Sequence, residues 1–169
     1  MNDAMFQVRI ARKAVAAHNI LLSVVGVPAI YVHSLLGSRS DLAAVAESGV
    51  ARRINRAVLD ADELDAELAE DGRRRQVLDG ITGLLRQRRE VAAFSPWCGQ
   101  QVLELDPRVF AVRRTAGDGT SVVSLTNVTG ETVSVPWPGT ARDLLGGGTA
   151  DGTVELEGYG VRWLGEEVA

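Results

Sequence analysis

The sequence predicts an α+β chain in which a helical half carrying one buried strand precedes a small antiparallel β-sandwich. Three observations support this. Val27, Ala29, Ile30, Tyr31 and Val32 form a nearly continuous apolar run, which reads as a strand covered on both faces, as in a parallel sheet. Up to about residue 95 the remaining apolar residues recur at helical spacing. After Pro96, short β-rich runs alternate with turn-forming residues.

The first helix is expected over about Ala4 to Val24, because Phe6, Ile10, Ala14, Ala17, Leu21 and Leu22 follow a helical period. Its second half is apolar all round, as in a helix covered by other elements. The strand Val27–Val32 comes next, and Tyr31 and His33 stand at its exit, where parallel α/β folds place their chemistry. From spacing alone the favoured reading is a packed aromatic and a satisfied histidine. Ser34 to Leu59 then reads as a long connection with at most a short helix, and connections of that length are usually functional.

Asp60 followed by Glu63 has the logic of a capping box, in which a side-chain oxygen and an acid three residues on satisfy free N–H groups. Acids in the first turn also suit the helix dipole. A calcium loop does not fit here, because Leu64 and Asp65 occupy the positions that need an oxygen ligand and a glycine. Gly72 ends this helix. A second follows with Val77, Leu78, Ile81, Leu84 and Leu85 on one stripe. Arg73, Arg74, Arg75, Arg86, Arg88 and Arg89 read as its solvated face. From Pro96 onward, the runs QQVLEL, VFAVRRT, SVVSLTNV, ETVSVPW and GTVELEGYGVRWLG are separated by DPR, GDGT, TGE and GGGTADG, which predicts five or six strands. Asn127-Val128-Thr129 matches a glycosylation sequon, which carries no meaning in a cytoplasmic protein.

Composition narrows the function classes. With 169 residues and 46% apolar content, the chain can build one sizeable domain or two small ones. A net charge of −4 and a pI near 5.2 argue against a nucleic-acid partner. Cys98 is the only cysteine, so no internal disulfide can form, and a reducing compartment is expected. Without a neighbouring histidine motif Cys98 reads as inert. Arg9, Arg12 and Lys13 before the apolar Ile20–Val27 mimic a secretory signal, but His18 and Asn19 interrupt the run. Pro28 and His33 weaken a membrane span over Ala14–Leu36. The chain is therefore expected to be cytoplasmic, with no membrane partner.

Taken together, LLSVVGVPAIYVHSLLGSRSD and RRINRAVLDADELDAELAE resemble the sucrose phosphorylase group of glycoside hydrolase family 13, and within it the sucrose 6-phosphate and glucosylglycerate phosphorylases. The resemblance continues through GLLRQRREVAAFSP, DLLGGG and the closing GYGVRWL. Ala51 and Arg53 flank the central arginine differently from sucrose phosphorylase itself, and Gly158 stands where a proline is common.

The resemblance implies that GVPAIYVHS is the last strand of a TIM (β/α)8 barrel and that the segment after it is the eighth βα loop. Residues 1–95 would then be the C-terminal portion of the barrel, and residues 96–169 a β-sandwich domain. It also implies that Arg52, with His33, Tyr31 and Asn55, belongs to the substrate- and phosphate-binding set. A guanidinium suits that task because its planar fork donates two hydrogen bonds to a phosphate and stays charged. The alternative for Arg52 is a salt bridge from loop to helix.

Family members transfer an α-glucosyl unit with retention, through a carboxylate nucleophile and a carboxylic acid roughly 5 Å apart. By resemblance, these acids and a stabilising aspartate belong to strands four, five and seven, which would precede Met1. The acids from Asp60 to Asp71 offer no substitute. The sequence thus assigns no catalytic residue, metal ligand or cofactor to this chain. Its expected partners are a sugar or sugar phosphate and inorganic phosphate once a barrel chain complements it, with self-association as the other outcome. The competing readings are a non-catalytic carbohydrate-associated sandwich, with Trp97, Trp137 or Trp163 stacking on sugar rings, and an inert remnant.

Overall fold

The computed structural model describes residues 3–70 and 72–166. Helix α1 spans Asp3–Ser23, and two short helices follow, α2 (Val32–Leu35) and α3 (Leu42–Ser48). A 3-10 turn covers Ala51–Asn55, then come α4 (Ala61–Ala69) and α5 (Arg73–Glu90). Six strands complete the chain: β1 Gly99–Leu103, β2 Val109–Thr115, β3 Ser121–Asn127, β4 Val133–Asp143, β5 Thr149–Leu156 and β6 Val161–Glu166. Every predicted β-rich run contains a strand. The connection after residue 34 holds more helix than the sequence suggested, because Asp41 caps α3 by accepting from the Ala44 N–H at 2.8 Å. Asp60 caps α4 as predicted, accepting from the N–H groups of Asp62 and Glu63 at 2.9 and 3.0 Å. Asp71 lies outside the described residues.

All strands belong to one antiparallel sheet of order β1-β2-β3-β6-β4-β5. The expected sandwich is thus a single sheet turned on itself. β4 touches β6 only through Arg142↔Gly165 and Asp143↔Leu164, while its other end packs inward. Val133, Val135 and Trp137 alternate with exposed residues and share a core with Val109, Ala111, Val123 and Leu125. Each such buried aliphatic contributes about 1.5–3 kcal/mol relative to exposure. At the β1–β2 turn, Arg108 holds the Asp106 carboxyl down at about 2.

β3 is buried on both faces, and α1 covers the second one. Asn19 is fully buried there; its Nδ2 donates to Ser124 Oγ (3.1 Å) and Thr126 Oγ1 (2.8 Å), and its Oδ1 accepts from Trp163 Nε1 (2.7 Å). This polar set is completely satisfied, as burial demands. Beside it, Leu22, Leu84, Phe94, Val122 and Trp163 form one cluster drawn from helices and strands alike. The compositional boundary near residue 95 therefore separates helices from strands without separating their cores.

Two arginines close the same interface. Arg114 is fully buried and donates to the carbonyls of Ser95, Ser23, Gly99 and Cys98. Arg88 donates to the Leu22 and Phe94 carbonyls at 2.9 and 2.8 Å. Together they satisfy carbonyls at the end of α1, a helix with no basic residue in its own last turn. Arg88 and the largely covered Arg74 correct the reading of that arginine series as a solvated face.

The fold also bears on the run Val27–Val32, on the tryptophans and on the sequon. Val27–Val32 is not a paired strand. Tyr31 has extended backbone, but no strand among the described residues pairs with this segment, and α2 begins at Val32. Val27 is 83% exposed and only Ile30 joins the core, because a strand is covered by neighbours and none lies alongside. Trp137 and Trp163 are buried, leaving Trp97, 94% exposed, as the accessible tryptophan. Asn127 is fully buried, and its Nδ2 donates to the carbonyls of Glu131, Leu156 and Glu157, so the sequon nitrogen is committed to the fold.

Gly158 has a steric reason to lack a side chain. A Cβ there would meet the Gly130 carbonyl oxygen at 2.4 Å, backbone against backbone. Gly158→Ala should therefore destabilise by about 1–3 kcal/mol, read as a lower urea midpoint at unchanged slope. An unchanged midpoint would show that this contact relaxes freely.

Candidate functional site

The site is assembled by the loops between α1 and α4. Tyr31 precedes α2, and its hydroxyl donates to the Asn55 carbonyl at 3.1 Å, linking the exit of the extended segment to the 3-10 turn. A second tie joins the Asp41 N–H to the Ile54 carbonyl at 2.7 Å. Gly49, at φ 66°, ends α3 in the left-handed conformation and lets the chain turn into Ala51–Asn55. Between these parts lies an open hollow of ≈ 480 Å³, lined by Tyr31, Ala51, Arg52, Ile54, Asn55 and Arg56.

Of the residues singled out in the sequence, Tyr31, Arg52 and Asn55 thus meet at one hollow. His33 stands behind it: its ring lies 5.3 Å from that of Tyr31, and its Nδ1 is 3.0 Å from Ser38 Oγ. Ser38 Oγ also accepts from Arg74 Nη1 at 3.1 Å, which anchors the His33 side to α5. Tyr31 is half exposed rather than packed.

Arg52 forms no ion pair among the described residues. The loop-to-helix bridge considered for it is made by its neighbour, Arg53, to Glu47 of α3 at 3.8 Å. Sequence reasoning passed over Arg56, which lines the hollow beside Arg52 and likewise has no acidic partner among the described residues. Its signal is the third arginine of RRINR.

A larger cleft of ≈ 700 Å³ lies nearby, and Arg39, Arg73 and Arg74 line it together with Asp41, Asp60 and Glu67. Burial there lowers the Arg73 pKa, and the Arg39 and Arg74 charges add to that effect. With Arg74 already paired to Glu67, the mixed lining selects no charge. Asp60 caps α4 and Asp79 pairs with Arg75, so the acids of this region serve the fold. Among the described residues no group of His, Cys, Asp and Glu could hold a metal ion.

The chain is a helix-backed antiparallel sheet preceded by an arginine-bearing loop at an extended segment. The solved structure of AmyP in complex with maltose superposes on it with a TM-score of 0.74 at 15% identity, covering 92% of this chain and 34% of that one. Residues 108–164, from β2 to β6, match the beta-galactosidase C-terminal domain family.

In sequence the chain is similar to the C-terminal part of proteins named glucosylglycerate phosphorylase. It is 42% identical over 120 residues to the glucosylglycerate phosphorylase of Spirochaeta thermophila, covering 70% of this chain and 20% of that protein. It is 39% identical over 123 residues to the glucosylglycerate phosphorylase of Allomeiothermus silvanus, covering 72% of this chain and 21% of that protein. The matches thus take in about a fifth of each relative's length.

Proposed function

We propose that this chain is the C-terminal segment of a retaining glycoside phosphorylase that moves an α-glucosyl unit to phosphate, and that it supplies part of the phosphate site rather than the catalytic acids. The observation that carries this reading is the 42% identity to a glucosylglycerate phosphorylase over 120 residues. Arg52, which lies in the hollow with Tyr31 and Asn55 and forms no ion pair among the described residues, fits the reading: such a guanidinium is available to an incoming anion. His33 orients Tyr31 from behind.

Under this reading, residues 1–95 complete a barrel and residues 96–169 form the domain that backs it. A carboxylate of the remaining barrel attacks the anomeric carbon, a carboxylic acid protonates the leaving oxygen, and phosphate then takes the glucosyl unit. The exposed apolar residues Val27, Val32, Val50 and Val58 would be covered by that barrel portion. No described helix is long and apolar enough to cross a membrane; the cytoplasmic location is part of this proposal and is supported by the single cysteine.

The purified chain alone should release no glucose 1-phosphate from glucosylglycerate, sucrose or sucrose 6-phosphate in the presence of phosphate. Turnover above a buffer blank that is abolished by a mutation in this chain would overturn the assignment.

A second reading rests on Trp97, which is 94% exposed on the turn before β1 and presents an indole to solvent. In a carbohydrate-associated module without catalysis that indole would stack on a sugar ring. Retention on a glucan column that is lost in Trp97→Ala would favour it.

A further inference from the structure

Three arginines fall within five consecutive residues, Arg52, Arg53 and Arg56, and the structure treats them differently. Arg53 pairs with Glu47 on α3 and is absent from the lining of the hollow. Arg52 and Arg56 both line the hollow, and neither forms an ion pair among the described residues. Among the described residues no acidic side chain lines the hollow; its other members are Tyr31, Ala51, Ile54 and Asn55. Two like charges sharing one concavity repel each other unless an anion enters between them. A phosphate group carries between one and two negative charges at neutral pH and offers several acceptor oxygens. A single guanidinium neutralises one charge and occupies two of those oxygens, leaving the remainder for a second.

We propose that Arg56 is a second phosphate ligand that acts with Arg52, and that Arg53 takes no part because Glu47 already compensates it. This rests on the reading of the hollow as a phosphate subsite and extends it to a two-arginine clamp. The Tyr31 hydroxyl, held on the Asn55 carbonyl, fixes the turn that carries both guanidinium groups. The clamp selects a phosphate over a monoanion of similar size, since the second arginine contributes fully only to a second negative charge.

The test uses the intact chain and inorganic phosphate, followed by amide chemical shifts at constant ionic strength with chloride as the control. Phosphate should shift resonances of residues 51–56 and Tyr31. Arg56→Gln and Arg52→Gln should each weaken binding about tenfold, while Arg53→Gln leaves it unchanged, with an undisturbed sheet spectrum reporting the fold in all three. Wild-type binding in Arg56→Gln, equal weakening in Arg53→Gln, or no phosphate-dependent shift in the wild-type chain would each overturn the clamp. The phosphorylase reading is tested separately by turnover after complementation. Product formation with an Arg56→Gln chain that binds phosphate normally would remove the clamp and leave that reading standing. Arg56-dependent phosphate binding without turnover in an assembled complex would do the reverse.

Discussion

Replacing Arg114 with alanine should cost about 3–4 kcal/mol, a large share of the stability of a domain this size. The side chain is fully buried, and its donors reach Ser23 at the end of α1, Ser95 and Cys98 before β1, and Gly99 in β1. Truncation leaves those carbonyls without partners in a site closed by Phe94, whose ring lies 6.0 Å from the guanidinium carbon. An unpaired buried acceptor costs about 1–3 kcal/mol, and a cavity adds to that. Desolvation by burial pulls the Arg114 pKa down, which is consistent with a charge maintained by carbonyl dipoles rather than by a carboxylate. In thermal unfolding the loss should lower Tm by roughly 10 °C. Arg114→Lys should recover only part of the loss, because an ammonium cannot span carbonyls arranged for a planar fork. A midpoint within about 0.5 kcal/mol of wild type for Arg114→Ala would show that these carbonyls find other partners.

The second large effect is expected at Arg52 and should appear in catalysis rather than folding. Arg52 makes no ion pair among the described residues and lies exposed, so Arg52→Ala removes little from the free chain. In a complemented enzyme it should impair phosphate use by about tenfold to hundredfold. That corresponds to loss of a charge-assisted, bidentate contact of about 1.5–3 kcal/mol. The change should fall on the phosphate-dependent step while assembly, followed by co-purification, stays intact. Unchanged phosphate kinetics in a well-assembled complex would leave Arg52 without a role in the reaction.

Much of the fold was legible in the sequence for local reasons. Period-two alternation in Val133, Val135 and Trp137, glycines in the turns, and Asp60 before an acidic first turn each act over a few residues. What stayed hidden depends on distant partners. Asn19 looked like an interruption in an apolar helix, yet it is the polar centre that joins α1 to Ser124, Thr126 and Trp163. Arg88 reads as surface charge and Arg114 carries no signal of its role, because nothing nearby in the chain announces the carbonyls they satisfy. The run Val27–Val32 is a case of the opposite kind. Its apolar pattern fits a strand between neighbours, and among the described residues there are none to pair with it. At the hollow, the family resemblance carried by RRINR implies Arg52 and Asn55, whereas the separation of Arg53 from Arg56 depends on Glu47, which lies on a helix the sequence hardly marks.

The most direct test of the central claim is phosphate-dependent turnover after complementation. The chain would be co-expressed with the remaining barrel of a related glucosylglycerate phosphorylase, and glucose 1-phosphate measured from glucosylglycerate and inorganic phosphate. The account predicts product only when both parts are present, with loss of most of it when Arg52 becomes alanine. A stable, co-purifying complex that forms no glucose 1-phosphate would contradict it.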